Sequence, residues 1–206
     1  MTRAAALFAA AAVLFGLAAG FWVVERGTGG DVFADCRRGS VADGAAALGG
    51  PFELTGGDGL RVASEALIDR PTLLYFGYSF CPDFCPMDLA RNAAAADLLA
   101  ERGVDVRLAF VSIDPARDTP EVAAAFARAI HPEMIGLSGA PEDTAAAANA
   151  YRVYWRKAGD DPEYYLMDHS TFTYLAAPGR PFLEFYPTTA GAEEIADSVA
   201  CYAAKL

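Results

Sequence analysis

Residues 72–86 read Thr-Leu-Leu-Tyr-Phe-Gly-Tyr-Ser-Phe-Cys-Pro-Asp-Phe-Cys-Pro. The first seven are almost all apolar or aromatic, the pattern of a short central strand buried on both faces. Two cysteines follow, Cys81 and Cys85, each succeeded by a proline. Residues 87–102 then carry Leu89, Ala93, Ala96 and Leu99 on one helical face, and Gly103 is a natural stop. Strand, cysteine pair and helix in direct succession predict thiols at the carboxyl end of a strand, where open α/β sheets gather their function. Pro86 suits the first helical position, which places Cys85 at or near the N-cap, where free amides and the helix dipole favour a thiolate. The four-residue spacing lets both sulfurs face one point across a first turn. Two soft thiolates at one mouth suit Cu(I), Zn(II) or a redox disulfide. The plainer alternatives are a structural disulfide or two core cysteines.

Outward from this stretch, strands and helices alternate. Residues 52–54 and 60–62 flank Gly56-Gly57-Asp58-Gly59 and predict a hairpin. Residues 104–113 read as a second buried strand, and Thr119-Pro120 as the N-cap and first position of a helix. A short strand at 134–137, a helix from 141 to about 155, and strand within 163–175 follow, the last with an irregular patch at Met167-Asp168-His169. Residues 181–186 form another strand after the turn Pro178-Gly179-Arg180, and a helix closes the chain from about 192. The alternation predicts an α/β sandwich with a mixed sheet.

Residues 4–24 contain no charge and lie between Arg3 and the pair Glu25, Arg26. As a helix they span roughly 30 Å, the thickness of a bilayer core, whereas a signal-peptide core is shorter, roughly 7–15 residues. Residues 1–26 are therefore expected to be a single-pass anchor with its amino terminus in the cytoplasm. The rest then lies outside the inner membrane of a bacterium, in the periplasm. The alternative is a signal peptide cut among Ala18, Ala19 and Gly20. Residues 27–50, rich in Gly, Ala and polar residues, read as a linker, and 51–206 as the folded domain. With 54% hydrophobic residues the chain can build a solid core, and its net charge of -11 makes nucleic acid an unsuitable partner.

Among the remaining candidates, His169 is one of two histidines and stands in a segment of Tyr, Phe and Leu. Alone it reads more readily as a structural hydrogen-bonder than as a ligand. With two thiolates it would complete a three-coordinate Cys2His set, which suits copper better than structural zinc. Met87 carries a thioether that can bind Cu(I), but its place fits ordinary helix surface; His131, before Pro132, reads as surface or C-cap. Cys36 lies in the linker, and Cys201 lies beside the apolar stripe Ile195, Val199, Tyr202 of the last helix. Exported thiols tend to pair, so a Cys36–Cys201 disulfide is expected, stapling the linker to that helix; two separate thiols are the alternative.

Three pieces, taken together and in order, carry a specific resemblance. Tyr75-Phe76-Gly77-Tyr78-Ser79-Phe80-Cys81-Pro82-Asp83-Phe84-Cys85-Pro86, Val111-Ser112-Ile113-Asp114-Pro115-Ala116-Arg117-Asp118-Thr119-Pro120, and Asp168-His169-Ser170 resemble the signatures of the Sco/SenC family. The likeness runs from about Pro51 to the C-terminus. It implies a thioredoxin-like fold with an inserted hairpin, and one copper ion held by Cys81, Cys85 and His169, as Cu(I) with Cu(II) as a further state. It also implies a role in building the CuA centre of cytochrome c oxidase, with the CuA-bearing subunit as partner and another copper chaperone or a thioredoxin-like reductase as further ones. Asp114, at the end of the second strand, either stands behind the ligands or, more plainly, joins Arg117 and Asp118 in fixing a turn.

Two functions follow from this set. One is a membrane-anchored copper metallochaperone that passes copper by ligand exchange. The other is a thiol–disulfide oxidoreductase in which Cys81 attacks and Cys85 resolves, His169 only tuning the thiols. A peroxidase is a distant third, because its pocket motif is absent.

Overall fold

A computed structural model describes residues 13–17, 20, 32–38, 48–161 and 164–206. Most of the expected anchor and most of the expected linker lie outside the described residues. Among the described residues, no helix is long and apolar enough to cross a membrane. The chain divides into Met1–Asp35 and Cys36–Leu206.

The second unit is built on a seven-stranded mixed sheet. The strands are β1 (Glu53–Gly56), β2 (Arg61–Ala63), β3 (Thr72–Gly77), β4 (Arg107–Ser112), β5 (Ile135–Ser138), β8 (Thr173–Ala177) and β9 (Arg180–Tyr186), in the order β2-β1-β5-β4-β3-β8-β9. A separate two-stranded sheet pairs β6 (Trp155–Ala158) with β7 (Leu166–His169). The helices are α1 (Ser64–Leu67), α2 (Phe84–Glu101), α3 (Pro120–Ile130), α4 (Pro141–Ala150) and α5 (Ala192–Ala203). The three central strands β3, β4 and β5 run parallel, joined by α2 and α3, while β8, β9, β1 and β2 are added antiparallel.

The apolar runs explain the centre. Every residue of β3 is buried, and so are five of six in β4. In register, Leu73 faces Leu108 and Phe76 faces Val111. Helix α2 turns Leu89, Ala93, Ala96 and Leu99 inward, the face read from the sequence. Helix α3 starts as its sequence predicts, with Thr119 as N-cap accepting from the Val122 N–H and Pro120 at its first position. It lies so close on β5 that a Cβ at Gly136 would stand 2.1 Å from the Ala123 carbonyl oxygen, so this strand position admits only glycine.

Two boundaries differ from expectation. Helix α2 begins at Phe84 rather than 87, with Asp83 as N-cap, so Cys85 and Pro86 lie within the first turn. Proline is tolerated there because first-turn amides have no intrahelical acceptor. Helix α4 ends at Ala150 rather than near 155. Arg152 turns the chain with φ 52, and Trp155 enters β6. The irregular patch around His169 is the end of β7 followed by a break before β8.

Candidate metal centre

The turn after β3 presents Cys81, the first turn of α2 presents Cys85, and the end of β7 presents His169. Their donor atoms all lie within 4.8 Å of one another, the one such cluster of three among the described residues. Cys85 is buried, Cys81 is half-exposed, and Cys85 Sγ lies 3.6 Å from His169 Nε2. A three-coordinate metal with donor bonds of about 2.0–2.3 Å sets its donors about 3.5–4 Å apart. The cluster thus fits such an ion with a small closure, and two sulfurs with one imidazole form a soft donor set suited to Cu(I).

Each donor is aimed by identifiable neighbours. His169 Nδ1 lies 2.8 Å from the Ser170 carbonyl oxygen, so in the neutral ring Nδ1 carries the proton and Nε2 turns its lone pair toward the sulfurs. The ring stands edge-on between Tyr75 and Tyr78, with centroids 6.3 and 5.8 Å away. Beneath it, the Tyr75 hydroxyl donates to Asp88 at 3.1 Å, and Asp88 pairs with Arg91 at 2.9 Å. Burial pushes the Tyr75 phenol up, so it stays protonated. Gly77 lies directly under the site: a Cβ there would meet Cys85 Sγ at 2.8 Å and Tyr75 Cε1 at 2.9 Å.

The two thiols are not equivalent. The Cys85 N–H donates to Cys81 Sγ at 3.4 Å, so Cys81, rather than Cys85, takes up the free amides of the helix start. The hydrogen bond from Cys85, with help from His169 and the Asp83 and Cys85 amides, holds the Cys81 thiol far below its ordinary value. The same bond, with burial, pushes the Cys85 thiol up. One proton is thereby retained on the inner sulfur while the outer one is a thiolate. An acid whose value is lowered stays ionised as pH falls. Reduced protein treated with iodoacetamide is therefore expected to be alkylated at Cys81 first, at a rate nearly flat between pH 5 and 8. An ordinary thiol slows about tenfold per pH unit over that range. Peptide mass spectrometry reads the site; a tenfold fall per unit at Cys81 would show that its thiol is unperturbed.

The loop after β4 supports the turn that bears Cys81. Asp118 is fully buried and accepts from the Ser79 N–H at 3.0 Å, from the Ser79 hydroxyl, and from the Ser112 hydroxyl at 2.7 Å. Asp114 accepts from Arg117 Nε at 2.6 Å and from the Tyr165 hydroxyl at 2.7 Å. It lies outside the donor cluster. Met87 is 64% exposed. His131 caps α3 and lies 3.4 Å from Asp97. Cys36 and Cys201 form a disulfide, tying the first residue of the second unit to α5.

The family described as SCO1/SenC matches residues 40–204. The chain belongs to the SCO1/SenC family. It is 49% identical over 203 residues to Protein SenC of Rhodobacter capsulatus, covering 98% of this chain and 90% of that protein. Among solved structures, Arabidopsis thaliana ScoI with copper bound superposes with a TM-score of 0.72 at 41% identity, over 76% of this chain and 98% of that one. Bradyrhizobium japonicum ScoI with copper bound gives 0.68 at 35%, over 76% and 99%. The mixed sheet and its helices are thus the thioredoxin-like fold of the SCO1/SenC family.

Sequence reading brings Cys81, Cys85 and His169 forward but passes over Tyr75, Tyr78 and Tyr165. Their signal is present: a tyrosine in an otherwise apolar strand needs a partner for its hydroxyl.

Proposed function

We propose that this SCO1/SenC chain binds one copper ion as cargo through Cys81, Cys85 and His169, and delivers it in the assembly of the CuA centre of cytochrome c oxidase. It works from an anchored position on the periplasmic face of a bacterial inner membrane. The observation that carries this reading is the His169 ring. A histidine that only packed or donated would not need its Nδ1 engaged by Ser170 and its Nε2 lone pair turned onto a buried sulfur at 3.6 Å. Three donors leave open positions, so thiolates of an incoming partner can enter before the old ones leave. Half-exposed Cys81 is the donor such a partner reaches first. The copper-bound relatives support the choice of metal.

The test is copper content of the reduced full-length chain, loaded anaerobically. One equivalent is expected, lost on Cys81→Ser or Cys85→Ser and bound at least 100-fold more weakly on His169→Ala, given the loss of a first ligand. Wild-type affinity in His169→Ala would remove the histidine from the ligand set.

The asymmetry of the thiols favours a second reading, a thiol–disulfide reductase. The Cys81 thiolate attacks one sulfur of a partner disulfide and expels the other as a thiolate. Cys85, losing its proton, then attacks Cys81 Sγ and releases the partner's remaining thiol. Two electrons pass to the partner, and the Cys81–Cys85 disulfide forms. His169→Ala separates the readings, since it weakens copper binding but leaves this exchange running.

A further inference from the structure

His169 arrives on β7, whose only strand partner is β6; among the described residues no ladder joins this hairpin to the seven-stranded sheet. The cysteines belong to the β3–α2 turn. Something must therefore hold the hairpin at a set distance from the thiols, and one guanidinium touches both sides. Arg117 Cζ lies 3.5 Å from the ring centroid of Tyr165, which immediately precedes β7. Arg117 Nη1 donates to the Tyr165 carbonyl at 3.0 Å, and the Tyr165 hydroxyl donates to Asp114, which also holds Arg117 Nε. On the other side, Arg117 Cζ lies 4.6 Å from the ring of Phe80, the neighbour of Cys81, and 5.8 Å from that of Tyr78, which stands against His169.

The remaining nitrogen, Nη2, is buried without a hydrogen-bond partner among the described residues. A guanidinium tolerates this where aromatic faces surround it, because it is weakly hydrated and stacks; an ammonium group is strongly hydrated and has no plane to stack. The position therefore calls for arginine specifically, beyond any need for a positive charge.

We propose that Arg117 is a positioning residue for copper: through Tyr165 it sets how closely His169 approaches Cys81 and Cys85, and so how tightly the ion is held. This rests on the copper reading above. Outer residues that orient a metal-binding histidine are typically worth 10–100-fold in affinity.

The experiment is a double-mutant cycle on the full-length chain. Cu(I) affinity is measured by competition with a Cu(I)-specific chelator for wild type, Arg117→Lys, His169→Ala and the double variant, with thermal unfolding recorded for each. Arg117→Lys is expected to weaken Cu(I) binding roughly 10–100-fold in the wild type and to have no further effect once His169 is gone. Equal weakening in both backgrounds would overturn the proposal, because Arg117 would then act on the fold or the thiols rather than through His169. Unchanged affinity in Arg117→Lys would overturn it as well. Failure of the copper reading looks different: His169→Ala itself would bind as the wild type does. Should Arg117→Lys not fold, Tyr165→Phe decides. It keeps the ring and loses only the bond to Asp114, and it should weaken Cu(I) several-fold in the wild type and not in His169→Ala; no change in either background overturns the proposal.

Discussion

Asp118→Ala is expected to lower the unfolding free energy by about 3–5 kcal/mol and to weaken copper binding with it. The carboxyl group is fully buried and receives three bonds, two of them from Ser79. Its backbone carbonyl also accepts from the Ser138 hydroxyl, which ties the same loop to β5. Truncation removes the acceptor of the Ser79 amide and of two hydroxyls, that of Ser112 fully buried and that of Ser79 partly so. Each stranded donor costs about 1–3 kcal/mol, and the lost side chain leaves a void besides. Ser79 stands two residues before Cys81, so the turn that aims the outer thiol loses its anchor. Asp118→Asn preserves shape but turns an NH2 group toward donors, and it should cost more than half as much. Denaturant unfolding with the disulfide intact measures both. A loss under about 1 kcal/mol in Asp118→Ala would mean that Ser79 finds other acceptors.

Removing the Cys36–Cys201 bridge, as Cys36→Ser with Cys201→Ser, is expected to cost about 3–5 kcal/mol while copper stoichiometry stays at one. The bridge closes a sequence separation of 165 residues, and a loop of that length restricts the unfolded chain strongly. Cys36 is 3% exposed, so the serine hydroxyl would also be buried where a half-cystine packed. For a chain of this size the loss corresponds to a melting point lower by roughly 10 °C. Calorimetry of oxidised wild type against the double variant measures it. No difference in melting point would mean that the α5 packing alone holds the end of the domain. Loss of copper in the variant would instead implicate these cysteines in the metal centre. The strong reductants used to load Cu(I) can open this bridge too, so the same comparison tells how much of the fold survives loading.

Much of the architecture is legible in the sequence because it rests on short-range patterns. The runs at 72–78 and 104–113 announce buried strands, since only a strand covered on both faces tolerates so little polarity. Thr119-Pro120 and Gly103 mark helix ends through local backbone chemistry. The β6–β7 hairpin is not legible in the same way. Trp155 continues an apparent helical pattern, and the left-handed turn at Arg152 that breaks it has no glycine to signal it. The sequence places the start of α2 three residues late because Pro86 fits the first helical position, whereas proline is accepted anywhere in the first turn. That shift turns the Cys85 amide at the helix start onto Cys81, which the sequence reading also makes the attacking thiol.

By itself, then, the sequence determined the α/β alternation, the pairing of two thiols at a strand end, and the candidacy of His169. Residue type and spacing are enough to specify donors and periodicity. Only the tertiary structure decided the tautomer of His169, the inequality of Cys81 and Cys85, and the clasp of Arg117, Asp114 and Tyr165. The clasp depends on groups far apart in the chain, such as Arg117 and the Tyr165 carbonyl, 48 residues apart, meeting within 3.0 Å, whereas the tautomer and the inequality turn on close neighbours, Ser170 and the Cys85 amide, whose geometry only the folded backbone fixes. Hydrogen bonding, burial and ring contact act over a few ångströms, and no local pattern in a sequence encodes which distant residues fall within that range.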